Sequence, residues 1–68
     1  METSARNQLR GTVKTVTAGA VMAEVILDVN GIELVAAITK ESAERLALTP
    51  GKPAVAIIKA TDVMIGID

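Results

Sequence analysis

From Val21 to Thr39 the chain reads VMAEVILDVNGIELVAAIT, and this run decides the fold. Val21, Ala23, Val25, Leu27 and Val29 fall on one face of an extended chain; Glu24, Asp28 and Asn30 fall on the other, with Met22 and Ile26 among them. Asn30-Gly31 is a two-residue hairpin signal, because both central positions of a type I′ turn need positive φ and these residues tolerate it best. The return strand sets Ile32, Leu34, Ala36 and Ile38 against Glu33, Val35, Ala37 and Thr39. One face is fully apolar and the other half apolar, which suits a second buried contact.

Upstream, Leu9 to Val16 is strand-like, with β-branched Thr12, Val13, Thr15 and Val16, and Thr17 to Ala20 reads as a connection. Downstream, Lys40 to Leu48 breaks the alternation and places Ala43, Leu46 and Ala47 at helical spacing, with Thr39 as a natural N-cap. Pro50-Gly51 ends that helix. Strand character resumes from Pro53 to Ala60, and Val63, Ile65 and Ile67 alternate to the end. Three strands, a short helix and two strands predict an all-β fold with one short helix, a five-stranded Greek-key barrel of the oligonucleotide- and oligosaccharide-binding type, in one domain over residues 1–68.

A chain of 68 residues is small for a self-sufficient core. Small domains usually add disulfides, a structural metal or self-association. With no Cys and no His, the first two are closed, and half the residues are hydrophobic. An obligate oligomer is expected. Seven Lys and Arg against eight Asp and Glu leave a net charge of -1, so no global field draws in nucleic acid or an acidic membrane. The absence of Phe, Tyr and Trp also removes the platform on which single strands stack. No apolar run approaches the roughly 18 residues of a membrane span, and residues 1–8 lack a signal-like apolar core, so a soluble cytoplasmic protein is expected. Enzyme chemistry would fall to scattered carboxylates and lysines, which argues for a binding role.

Hydroxyls and cations gather at three junctions: Ser4-Ala5-Arg6-Asn7, Thr39-Lys40-Glu41-Ser42 and Lys59-Ala60-Thr61. Thr39 and Ser42, three residues apart at a helix start, can aim two hydroxyls and first-turn N–H groups at one anion. On spacing alone the commoner use of such a pair is a plain cap with Ser42 solvated, and Glu41 in the same turn favours that reading, since it opposes an anion while suiting the helix dipole. Ser4 to Asn7 reads either as a donor cluster or as a frayed terminus. Lys59 reads either as a ligand, with small Ala60 admitting an ion to the backbone, or as a charged guard on a strand edge.

The segments Ser4 to Leu9, Gly19 to Val25, Glu33 to Thr39 and Ile58 to Gly66 resemble, in collinear order, the molbindins, the small molybdate-binding proteins also called molybdenum-pterin-binding or Mop proteins, built of a Mop- or TOBE-type domain. The resemblance implies a hexamer, a trimer of dimers, that holds molybdate or tungstate between subunits. Carried over by motif, the oxyanion site takes Ser4 and Arg6, Lys59 and the backbone of Ala60, with Thr39 and Ser42 from a neighbouring copy. A second site near the three-fold axis would use backbone at Gly19, Ala20 and Val21. No cofactor and no directly ligated metal are implied, since molybdenum would enter only as its oxyanion. The function implied is intracellular storage and homeostasis of molybdate; the alternative is a regulatory or sensory oxyanion-binding module acting through a protein partner.

A donor-only pocket suits such an ion. Molybdate at neutral pH is a fully deprotonated dianion whose oxygens only accept hydrogen bonds. Phosphate keeps a proton on much of its population and wants an acceptor, and the six proposed residues offer no carboxylate.

Overall fold

The computed structural model describes residues 1–68 of one chain. Four strands, β1 (Asn7–Ala18), β2 (Met22–Val29), β3 (Ile32–Thr39) and β4 (Pro53–Ile58), form one antiparallel sheet in the order β3-β2-β1-β4. A helix, α1 (Lys40–Arg45), follows β3, and a single 3₁₀ turn spans Ala60–Asp62. No helix is long and apolar enough to cross a membrane.

The hairpin forms where the alternation puts it. Asn30 and Gly31 take φ of 51° and 86°, as a type I′ turn requires, and Asp28 Oδ1 accepts the Gly31 N–H at 2.8 Å. Val29 pairs with Ile32 and the register runs without a slip to Met22 opposite Thr39. Inward side chains follow: Ala23, Val25 and Leu27 are buried, and Leu34, Ala36 and Ile38 are half-buried opposite them.

β1 is shared between two partners. Its first half pairs with β4, from Asn7 opposite Ile58 to Thr12 opposite Pro53; its second half pairs with β2, from Thr12 opposite Asp28 to Ala18 opposite Ala23. Thr12 is the crossing point. Immediately after it the register slips: Val13 faces Leu27 and Thr15 faces Ile26, leaving Lys14 as the extra residue of a bulge. The bulge turns both Val13 and Val16, three apart, toward the core of Val13, Val25 and Leu27, a spacing that strict alternation forbids. Gly11 is required just before, because a Cβ there would lie 2.4 Å from the Asp28 carbonyl oxygen.

Two expectations are corrected. The helix stops at Arg45 rather than Leu48, because Ala47 turns left-handed (φ 52°) and the Leu48 N–H reaches back to the Ala43 carbonyl at 3.1 Å. Lys52 Nζ then donates to the carbonyls of Leu46 (2.7 Å) and Ala47 (3.3 Å), neutralising the helix end. Pro50 and Gly51 (φ 92°) make the next turn, closed by the Lys52 N–H on the Thr49 carbonyl.

The second correction concerns the five-stranded barrel. Within this chain the sheet has four strands and is open, since β3 and β4 form its two edges and do not pair. Val63 to Ile67 is not a strand: the 3₁₀ turn at Ala60–Asp62 leads the chain off β4, and no edge of its own sheet receives it. Met64, Ile65 and Ile67 are 92%, 88% and 95% exposed. Only five residues are buried, a core smaller than the apolar surface left outside it.

Candidate functional site

The register divides the six proposed oxyanion residues into two groups. Asn7 opposite Ile58 is the last registered pair of β1 and β4; one step beyond it lie Arg6 on one side and Lys59 on the other. Ser4 to Arg6 and Lys59-Ala60 therefore flank one end of the sheet. Both cations are exposed, and neither belongs to an ion pair, since the chain's two are Lys14–Glu33 and Lys40–Glu44. Like charges placed just beyond paired strand ends repel, and an anion between them would offset that cost. Ser4 lies in a bend, where the neighbouring Ala5 N–H donates to Thr3 Oγ1 at 3.2 Å. Ala60 opens the 3₁₀ turn, whose first bonds are Asp62 N–H to the Lys59 carbonyl (2.9 Å) and Val63 N–H to the Ala60 carbonyl (3.3 Å). The leading N–H groups of such a turn have no acceptor within it, which leaves the Ala60 N–H directed outward from the turn.

Thr39 and Ser42 stand at the other end of β1. Ala18 pairs with Ala23, and the adjacent Met22 pairs with Thr39. Ala18 lies eleven residues along β1 from Asn7, with the bulge between them, so the two groups sit at opposite ends of that strand. Within one copy the two groups do not meet. Thr39 Oγ1 accepts the Ser42 N–H at 3.1 Å and donates to Ser42 Oγ at 2.8 Å. The cap is thus satisfied, and the Ser42 hydroxyl keeps its own proton for a further acceptor.

The structure does bring the Gly19 to Val21 segment to the helix start. Gly19 N–H bonds the Met22 carbonyl (2.7 Å), and Lys40 N–H bonds the Val21 carbonyl (2.7 Å). Ala20, Val21, Thr39, Lys40, Glu41 and Glu44 line one open depression. Lys40, directly after the cap, is the one cation in this lining. Its Nζ lies 4.0 Å from Glu44 Oε1, so the depression holds both signs of charge. The opposite end, with Arg6 and Lys59, holds cations and neutral donors.

Comparison with known proteins agrees with this architecture. A family model described as the TOBE domain matches residues 3–65. Molybdenum-pterin-binding protein 3 of Clostridium pasteurianum is 47% identical over 66 residues, 96% of this chain and 97% of that protein. The molybdenum-pterin-binding protein MopA of Rhodobacter capsulatus is 52% identical over 96% of this chain, which spans only 25% of MopA. A solved structure of a molybdate-binding protein from Sporomusa ovata superposes with a TM-score of 0.94 at 45% identity, covering 98% of this chain and all of that one.

Proposed function

This chain belongs to the TOBE domain family, and from that premise we propose that it binds molybdate, or the similarly shaped tungstate, at the seams of a homo-oligomer and so stores and buffers the ion in the cytoplasm. The relatives described as molybdate- or molybdenum-pterin-binding proteins support the ligand. One observation carries the assembly: the donors Ser4, Arg6, Lys59 and Ala60 lie at one end of β1 and Thr39 and Ser42 at the other. An ion enclosed by both groups therefore takes them from different copies. The exposed apolar tail, with Ile65 and Ile67 on alternate positions, supports the same reading, as does the small core. A hexamer gives each ion Arg6 and Lys59 from one copy and hydroxyls from its neighbour, with a second kind of site at Gly19 to Val21.

Charge-assisted hydrogen bonds contribute about 1.5–3 kcal/mol each, so four or five supply a gross term comparable to the roughly 8 kcal/mol of a micromolar complex, from which ordering and dehydration take back part. This is binding chemistry, without a catalytic step. Native mass spectrometry with and without molybdate tests it. A hexamer that gains a fixed number of ions is expected; a monomer in both conditions refutes the proposal. The regulatory alternative draws on MopA, where the matched region is a quarter of a longer protein. Ion-dependent capture of a second polypeptide would favour it.

A further inference from the structure

The β2–β3 turn carries chemistry unconnected with ion binding. Asn30 and Gly31 are both exposed, and the space where a Gly31 Cβ would stand is open. A carboxamide followed by glycine is vulnerable, since no side chain on the next residue hinders its backbone nitrogen from reaching the carboxamide carbon. The chain's other asparagine, Asn7, precedes Gln8 and lies in β1. We propose that Asn30-Gly31 is a spontaneous succinimide-forming site and that Asp28 holds it in check while the hairpin is folded.

The step is balanced without an enzyme. The Gly31 nitrogen loses its proton to hydroxide and attacks Asn30 Cγ; the new N–Cγ bond forms as the Cγ–Nδ2 bond breaks, and ammonia leaves with a proton from water. Water then opens the ring at either carbonyl, giving aspartate or isoaspartate at position 30. Asp28 opposes the first event. Its Oδ1 accepts the Gly31 N–H at 2.8 Å, so that bond must break, and the nitrogen anion would form facing a carboxylate. The ladder also closes directly at Val29 opposite Ile32, which leaves the turn little freedom.

The isoaspartyl product routes the main chain through Cβ and adds a methylene to a two-residue turn. Such a turn sets the register of its strands, so the modified hairpin cannot keep type I′ geometry.

The full-length protein, aged in mildly alkaline buffer, is assayed by isoaspartyl methyl transfer and peptide mapping, folded and in urea. Modification at Asn30 is expected to run several-fold faster in urea than in the folded chain. Asp28→Ala, folded by circular dichroism, should age several-fold faster than the folded wild type while staying below the urea rate, since the Val29–Ile32 pair still closes the turn. Asp28→Asn keeps an acceptor oxygen for the Gly31 N–H without the charge, a contact the alanine variant lacks, and a rate between wild type and the alanine variant is expected. Folded variants that age at the wild-type rate would overturn the role of Asp28. An Asn30 that stays intact in urea would overturn the site itself.

Discussion

Lys14 of β1 donates through Nζ to Glu33 Oε1 of β3, although β2 lies between their strands. The contact exists because Lys14 is the bulged residue. Released from the ladder, it stands on the outer face and spans the intervening strand.

That pair makes a small, pH-dependent contribution at the surface. The hydrogen bond and the charge of Glu33 raise the Lys14 pKa above its ordinary 10.5. Stability from the pair is therefore full below the ordinary lysine value and is lost as pH rises through the higher folded one. Thermal melts of wild type and Glu33→Gln should differ at neutral pH and converge in strong alkali. A difference that persists at high pH would exclude this origin.

Ala47 holds a left-handed backbone that suits glycine better, and alanine there bears a steric cost of about 1–2 kcal/mol. Ala47→Gly removes that cost but gives the unfolded chain more freedom. A net gain of about 0.5–1 kcal/mol is expected, seen as a rise in Tm of a few degrees. A fall in Tm would mean that the Ala47 methyl group contributes packing that outweighs the strain.

Lys59→Ala should weaken molybdate binding at least about tenfold, the loss of one charge-assisted hydrogen bond, while the oligomer stays intact. Calorimetric titration decides it, and an unchanged affinity would displace Lys59 from the site. Ala60→Ser adds a hydroxyl donor at the same point and should tighten binding.

Replacing Ile65 and Ile67 together by Asp should shift the protein toward smaller species in size-exclusion chromatography. Both are almost wholly exposed in one chain, so their loss leaves the monomer's core of Val13, Val25 and Leu27 untouched. An unaltered elution volume would show that assembly does not use the tail.

Gly11→Ala forces a methyl group against the Asp28 carbonyl oxygen at 2.4 Å, and the strand must shift to relieve it. Overpacking of this kind costs about 1–3 kcal/mol. Chemical denaturation with an unchanged midpoint would disprove the close approach.

Local signals in the sequence were legible where one residue type has one physical use. Asn30-Gly31 fixed a turn and Thr39 a cap, whereas Pro50-Gly51 marked the turn after the helix and not its end at Arg45. The bulge at Lys14 was hidden, because one inserted residue shifts the period and Thr12 to Val16 then shows β-branching without alternation. Alanine is the best helix former, so Ala47 carries a helical signal, and only the Lys52 contact and the following turn reveal otherwise. Val63, Ile65 and Ile67 alternate, but alternation records that a face prefers burial and not which chain supplies the cover. For the candidate site, composition gave the donors and collinear motifs grouped them; which donors share an end of the sheet depended on the pairing of Asn7 with Ile58 and Met22 with Thr39.

The placement of Lys59 and Thr39 beside opposite ends of β1 has a thermodynamic corollary for the proposed site. Any ion that touches both ends must tie copies together, so its uptake and their association are linked equilibria, each strengthening the other by the same factor. At such a shared site dilution would act as a competitor: a scarce protein would let go of its ion, and an abundant one would hold it more tightly without any change in the residues around it.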